Sequence, residues 1–161
     1  MKLSVQIIFL TIFIPALSFG GEHEDKTGVE ALSPNLRALL SQEMNALQDG
    51  MMSIIPAYIS GNWAAIESTA HKIKSSYILK QSLTENQVKE LHSKLPHEFI
   101  EKDQRFHYLA GMLEHAAKSK KPELVNFYFS EMNEACASCH SKFATHKFPA
   151  LGSNNKGEHA Q

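Results

Sequence analysis

The chain has 161 residues, with 16 Lys or Arg against 17 Asp or Glu, a formal net charge of -1, 43% hydrophobic residues and 20% charged ones. This length suits one domain. The apolar content is enough for a core and excludes a fully disordered chain. Near-neutrality gives no electrostatic reason to expect nucleic acid as a partner, and two cysteines are too few for a disulfide scaffold.

The first element in chain order is a secretory signal peptide over residues 1–20. Lys2 supplies the positive start, and Val5 to Leu17 is a mostly apolar run. Ser18 and Gly20 are the small residues before a cut after Gly20. The run falls short of the ~20 apolar residues of a membrane-spanning helix, and Pro15 interrupts it. No cysteine lies near the cut, so nothing supports a lipid anchor. The expectation is a periplasmic mature chain of net charge -2, with no stable membrane insertion. Its domain spans residues 21–148, and a flexible tail follows over 149–161.

After a polar lead-in, Ser33 caps a first helix and Pro34 takes its first position. Leu36, Leu39, Leu40, Met44, Leu47, Met51, Ile54 and Ile55 recur at helical spacing. Pro56 predicts a kink near the end, and Gly61 a stop. Asn62 caps a second helix with a seam of Trp63, Ile66, Ala70, Ile73 and Tyr77. Thr84 caps a short amphipathic piece that Pro96 closes. A third helix covers about 97–118. Pro122 opens a fourth, with Val125, Tyr128, Met132, Ala135 and Cys139 inward. No segment alternates with the period of a strand. The fold class is all-α, an antiparallel four-helix bundle with a short extra helix between helices 2 and 3.

The chemistry concentrates in Cys136-Ala137-Ser138-Cys139-His140, a C-x-x-C-H sequence. This is the attachment pattern of c-type haem. Each thiol forms a thioether with one vinyl group, and the adjacent His becomes an axial ligand of the iron. On a helix, positions 136, 139 and 140 share one face. Three other readings compete. A redox dithiol lacks a thioredoxin-like pattern here, and a zinc site lacks its other cysteine pair. A disulfide across so tight a helical loop is poorly shaped. One covalent haem c is the expectation.

A C-x-x-C-H near the C-terminus, on the last helix of a bundle, resembles the cytochrome c-prime family. The features that match are Cys136, Cys139, His140, Phe143 three residues on, and Met44 one-third of the way along helix 1. The likeness covers about residues 33–148. It implies an exported haem bundle whose sixth iron ligand, if any, comes from helix 1, and a homodimer through the first two helices. Family members often carry a basic residue directly after the aromatic. Ala144 stands there, with Lys142 and His146 only nearby, which puts proximal gas chemistry in doubt.

The sixth ligand decides the function. Met44 is the first candidate, on the inward stripe with Leu40, Leu47 and Met51; core filling is the common role of such a methionine. Met51 is the runner-up, and Met52 reads as packing. Met112 and Met132 read as core. His107 is an alternative ligand, or a partner of Asp103. His71, His92, His97 and His115 read as surface. Phe127, Tyr128, Phe129, Phe143, Trp63 and Tyr77 supply apolar walls. The lysines at 72, 74 and 80 and at 118, 120 and 121 read as solvated faces. With Met44 ligated, the chain is a one-electron carrier serving periplasmic redox proteins. With the site open, it binds NO or CO. A thiol-bearing helical interaction protein is the third reading. No paired carboxylates or nucleophile–base pair argue for an enzyme.

Overall fold

The computed structural model describes residues 28–152, so the expected signal peptide and the tail beyond Gly152 lie outside the described residues. Within that span every element is helical. A short 3-10 turn at Val29–Ala31 is followed by α1 (Pro34–Ile59), α2 (Trp63–Lys74), α3 (Leu79–Ser82), α4 (Glu85–Lys94), α5 (His97–Lys118), α6 (Pro122–Phe143) and α7 (Pro149–Gly152). None of the described helices is long and apolar enough to cross a membrane.

The helix starts follow their capping chemistry. Ser33 Oγ accepts the Leu36 N–H, and Asn62 Oδ1 accepts the Ala65 N–H. Thr84 and Gln87 cap each other reciprocally at α4. Gly61 turns the chain with φ 67°, a left-handed value that suits glycine.

As expected, α1 stops just before Gly61, at Ile59, with Pro56 inside its last turn. Other expectations are corrected. α2 stops at Lys74, so Tyr77 is not on its seam: Ser76, at φ 61°, turns the chain out of the helix first. The short extra helix is α4, and the four-residue α3 precedes it. The stretch read as the start of a loose tail, Pro149–Gly152, forms one helical turn.

Successive long helices pack side by side, α1 on α2, α2 on α5 and α5 on α6. Their contacts run in opposite directions along each pair. Lys102 and Arg105 of α5 meet Ser138 and Glu131 of α6 in reverse order. Glu114 of α5 meets His71 of α2, while His107, earlier in α5, meets the carbonyl of Ile73, later in α2. α1 and α6 approach far less closely. They meet where Tyr58 Oη donates to the Pro122 carbonyl at 3.3 Å. Beside that contact is a cavity of about 170 Å³, lined by Ile54, Ile55, Tyr58, Ile59, Val125, Asn126 and Phe129.

Two apolar clusters fill the interior. The larger centres on Ile54, Ile66, Ile73, Leu113, Val125 and Met132. The smaller joins Leu32, Leu36 and Leu40 to Leu95. Between them on the inward stripe of α1 sits Glu43, 1% exposed. Its Oε1 accepts from Ser76 Oγ at 2.8 Å and Tyr77 N at 3.0 Å, and its Oε2 from Ile78 N at 2.6 Å and Leu79 N at 3.2 Å. Four donors replace the water that a buried carboxylate loses. Gly50 completes the arrangement. A Cβ there would lie 2.6 Å from Tyr77 Oη, so only glycine leaves room for the phenol.

Removing the carboxylate strands those donors. Glu43→Ala should lower the unfolding free energy by about 3–5 kcal/mol, the range for breaking a buried charged network. Glu43→Gln, which keeps the shape, should cost less. Urea denaturation checks both. A loss below about 1 kcal/mol for the alanine variant would mean that water substitutes for the carboxylate.

Candidate cofactor-attachment site

Pro122 starts α6 in a conformation proline already favours, and the helix carries Cys136, Cys139 and His140 through its last turns. Their spacing of three and four places both sulfurs and the imidazole on one face. Both thiols are free and half-buried, and Cys136 packs against the larger core cluster. Phe143 meets Phe99 of α5 edge-on at 5.4 Å and 68°. Lys102 Nζ donates to Ser138 Oγ at 2.8 Å. Lys142 pairs with Glu98, and this bond holds the Glu98 carboxyl below its ordinary range. The α5–α6 pair therefore fixes the turn that bears the motif.

The electrostatics of the three groups differ from those of a reactive dithiol. Burial pushes both thiols up, Cys139 to about 11, against a smaller downward pull from Lys102. Catalytic dithiols need the opposite shift. Burial, helped by Lys147, lowers His140, which favours the neutral imidazole that binds metal. Among the described residues no hydrogen bond reaches its ring nitrogens, and its face lies against Phe148.

Met44 is half-buried and packs against both clusters. Its level follows from the Tyr58–Pro122 contact. Met44 precedes Tyr58 by 14 residues, and Cys136 follows Pro122 by 14. Both helices rise about 1.5 Å per residue, so each of the two residues lies about 21 Å along its own helix from that contact, toward the same end of the antiparallel pair. Helical side chains lean toward their own N-terminus. Met44 therefore leans toward Leu40, and His140 toward Cys136. Met51 is buried in the larger cluster, seven residues closer to Tyr58.

The other candidates disperse. Nδ1 of His107 lies 2.7 Å from the Ile73 carbonyl, and Nε2 lies 3.5 Å from Asp103 Oδ1, so both nitrogens are engaged. Met52 is 62% exposed and Phe127 52%, so neither packs inward as expected. Tyr128 and Phe129 line the core, and Trp63 meets Tyr58 edge-on at 5.8 Å. His71 and His97 pair with glutamates at the surface. Both lysine clusters are exposed.

The donor set fits a covalently attached haem: two unpaired thiols and an unengaged, neutral-leaning imidazole, adjacent on one helical face at the edge of the core. Among the described residues no group of three or more His, Cys, Asp or Glu could hold a metal ion between them. Three residues near the site escaped the sequence reading. Glu43 had a signal, because Leu36, Leu40, Glu43, Leu47, Gly50 and Ile54 keep the spacing of a buried seam. Lys102 and Phe148 had none, since their partners come from another helix or a reversed segment.

His107 sets a pH dependence of stability. Burial alone lowers its pKa, but the hydrogen bond to Asp103, its charge and the Ile73 carbonyl together outweigh burial and the nearby Lys80, so the value is raised. A raised folded value gives stability that is full below the unfolded value of about 6.5 and is lost as pH rises through the folded one. Asp103→Asn should cost about 0.5–1 kcal/mol in mild acid, discounted for the exposure of Asp103, and less above neutrality. Urea midpoints for parent and variant across that range check it; a constant gap would contradict it.

Compared with known protein families, curated proteins and solved structures, the chain matches none.

Proposed function

We propose that this chain is an exported c-type cytochrome of the c-prime kind, an antiparallel four-helix bundle formed by α1, α2, α5 and α6. Cys136 and Cys139 hold one haem c through thioethers. His140 is its axial ligand, and Met44 is the ligand from the opposite side. The protein carries single electrons between redox proteins of the periplasm. Bound haem supplies a one-electron iron couple, whose potential Met/His ligation raises.

The observation that carries this reading is the pairing of the motif with Met44. One face of α6 presents two free thiols and an unengaged imidazole, and α1 carries a thioether on its half-buried face toward the same end of the helix pair. The raised thiols weigh against a dithiol exchanger. The chain's own work is positional. The Phe99–Phe143 and Lys102–Ser138 contacts hold the motif turn, and Leu40 and Leu47 enclose Met44.

A second reading has its own observation. Met44 packs against both clusters as a gap-filler does. If that packing persists, the iron keeps an open face for NO or CO, and the protein binds gas rather than shuttling electrons.

Haem staining on a denaturing gel tests attachment, because only covalent haem survives. Cys136→Ser with Cys139→Ser should abolish the stain, and undiminished staining would refute attachment. Optical spectra then separate the two readings. Parent protein should show low-spin bands, the sulfur-to-iron charge-transfer band when oxidised, and slow CO binding when reduced. Met44→Ala should lose that band, bind CO readily and fall in potential. A parent that already binds CO rapidly and lacks the band makes Met44 a core residue and favours gas binding.

A further inference from the structure

The chain does not leave the motif when α6 ends. Ala144 N–H donates to the His140 carbonyl at 3.0 Å, and the Lys147 and Phe148 N–H groups both donate to the Ala144 carbonyl at 2.9 Å. These steps reverse the segment over the end of α6, and α7 then packs back on that helix. Gly152 lies tightly on Thr145, whose methyl would stand 3.0 Å from an added Cβ. The reversal brings the Phe148 ring parallel to the His140 imidazole, with centroids 4.5 Å apart and planes 12° apart.

We propose that Phe148 is a positioning residue for His140, its ring fixing the plane in which the imidazole meets the iron. The inference rests on the haem reading above. An aromatic ring on a π face leaves the nitrogen lone pair free, because that lone pair lies in the plane of the ring. A proximal histidine is commonly oriented by a hydrogen bond from its second nitrogen. Among the described residues His140 has no such bond, so the stacked ring is the contact that can set its rotation about χ2. Phe148 is itself 41% exposed. It thus adds little to the core, and its replacement tests orientation rather than folding.

The experiment uses the full chain matured with its haem. Ferric electron paramagnetic resonance reads the orientation of the axial imidazole, and far-UV circular dichroism confirms the fold. Parent protein and Phe148→Tyr should give one sharp set of g-values. Phe148→Ala should shift or broaden that set and move the reduction potential, with haem content unchanged. Phe127→Ala, an exposed aromatic on α6, should do neither. Superimposable spectra and equal potentials for parent and Phe148→Ala would overturn the positioning role and leave the cytochrome reading standing. Absence of covalent haem from the parent would overturn both.

Discussion

The Glu43 carboxylate fixes how α1 sits against the connection that follows α2. An apolar residue at that position would tolerate rotation of α1, because hydrophobic contact has no direction. A carboxylate with four donors does not, because each bond has a narrow angular range. The rotation of α1 is therefore set by residues 76–79. Adjacent residues of a helix are turned by about 100°, so pinning Glu43 toward the α2–α3 connection turns Met44 toward a different neighbour. The same bonds let α2 end at Lys74 and seat Tyr77 over Gly50. Burial, with the charges of Glu43 and Asp49, pushes the Tyr77 phenol up and keeps it neutral.

The helix pairs are unequal partners. α5 packs extensively on both α2 and α6, whereas α1 and α6 touch mainly at the Tyr58 end. The motif lies about 21 Å from that contact, where the two helices are not drawn together. A planar group placed there would separate no tightly packed helix pair. The α5–α6 face, with its ion pairs and the Phe99–Phe143 contact, holds the turn that bears the C-x-x-C-H motif. The contrast would suit the proposed reading, in which a group held from α6 faces the less tightly packed side.

Helix positions were legible because their signals are local. Ser33, Asn62, Thr84 and Pro122 act within three or four residues, and the C-x-x-C-H spacing is local too. What the sequence hid depends on partners distant along the chain. Tyr77 fits the period of α2, yet it leaves the helix because Ser76 adopts a left-handed turn beside Glu43. Pro149–Gly152 looks like a loose end by composition, but its neighbours are on α6. Met52 and Phe127 point outward because helical spacing alone leaves the edges of a stripe undefined by one residue. Met44 itself is ambiguous for a physical reason: the flexible thioether that suits a ligand also suits a gap.

That flexibility bears on the chemistry of the proposed function. Leucine at position 44 could fill the space between the two clusters but could not extend a donor atom beyond it. Methionine is unbranched, so its sulfur can swing by one rotamer without moving α1. If His140 and Met44 held a haem iron as proposed, both would be neutral ligands, and neither would compensate the extra positive charge of oxidised iron. In a surround of leucines and aromatics this would favour the reduced state. Glu43 is the nearest negative charge along α1 and opposes that bias. Its oxygens, however, are turned toward the donors of residues 76–79, which spread the charge into the backbone there. On the proposed reading, the carboxylate next to Met44 would therefore do little to stabilise the oxidised iron that Met44 would disfavour.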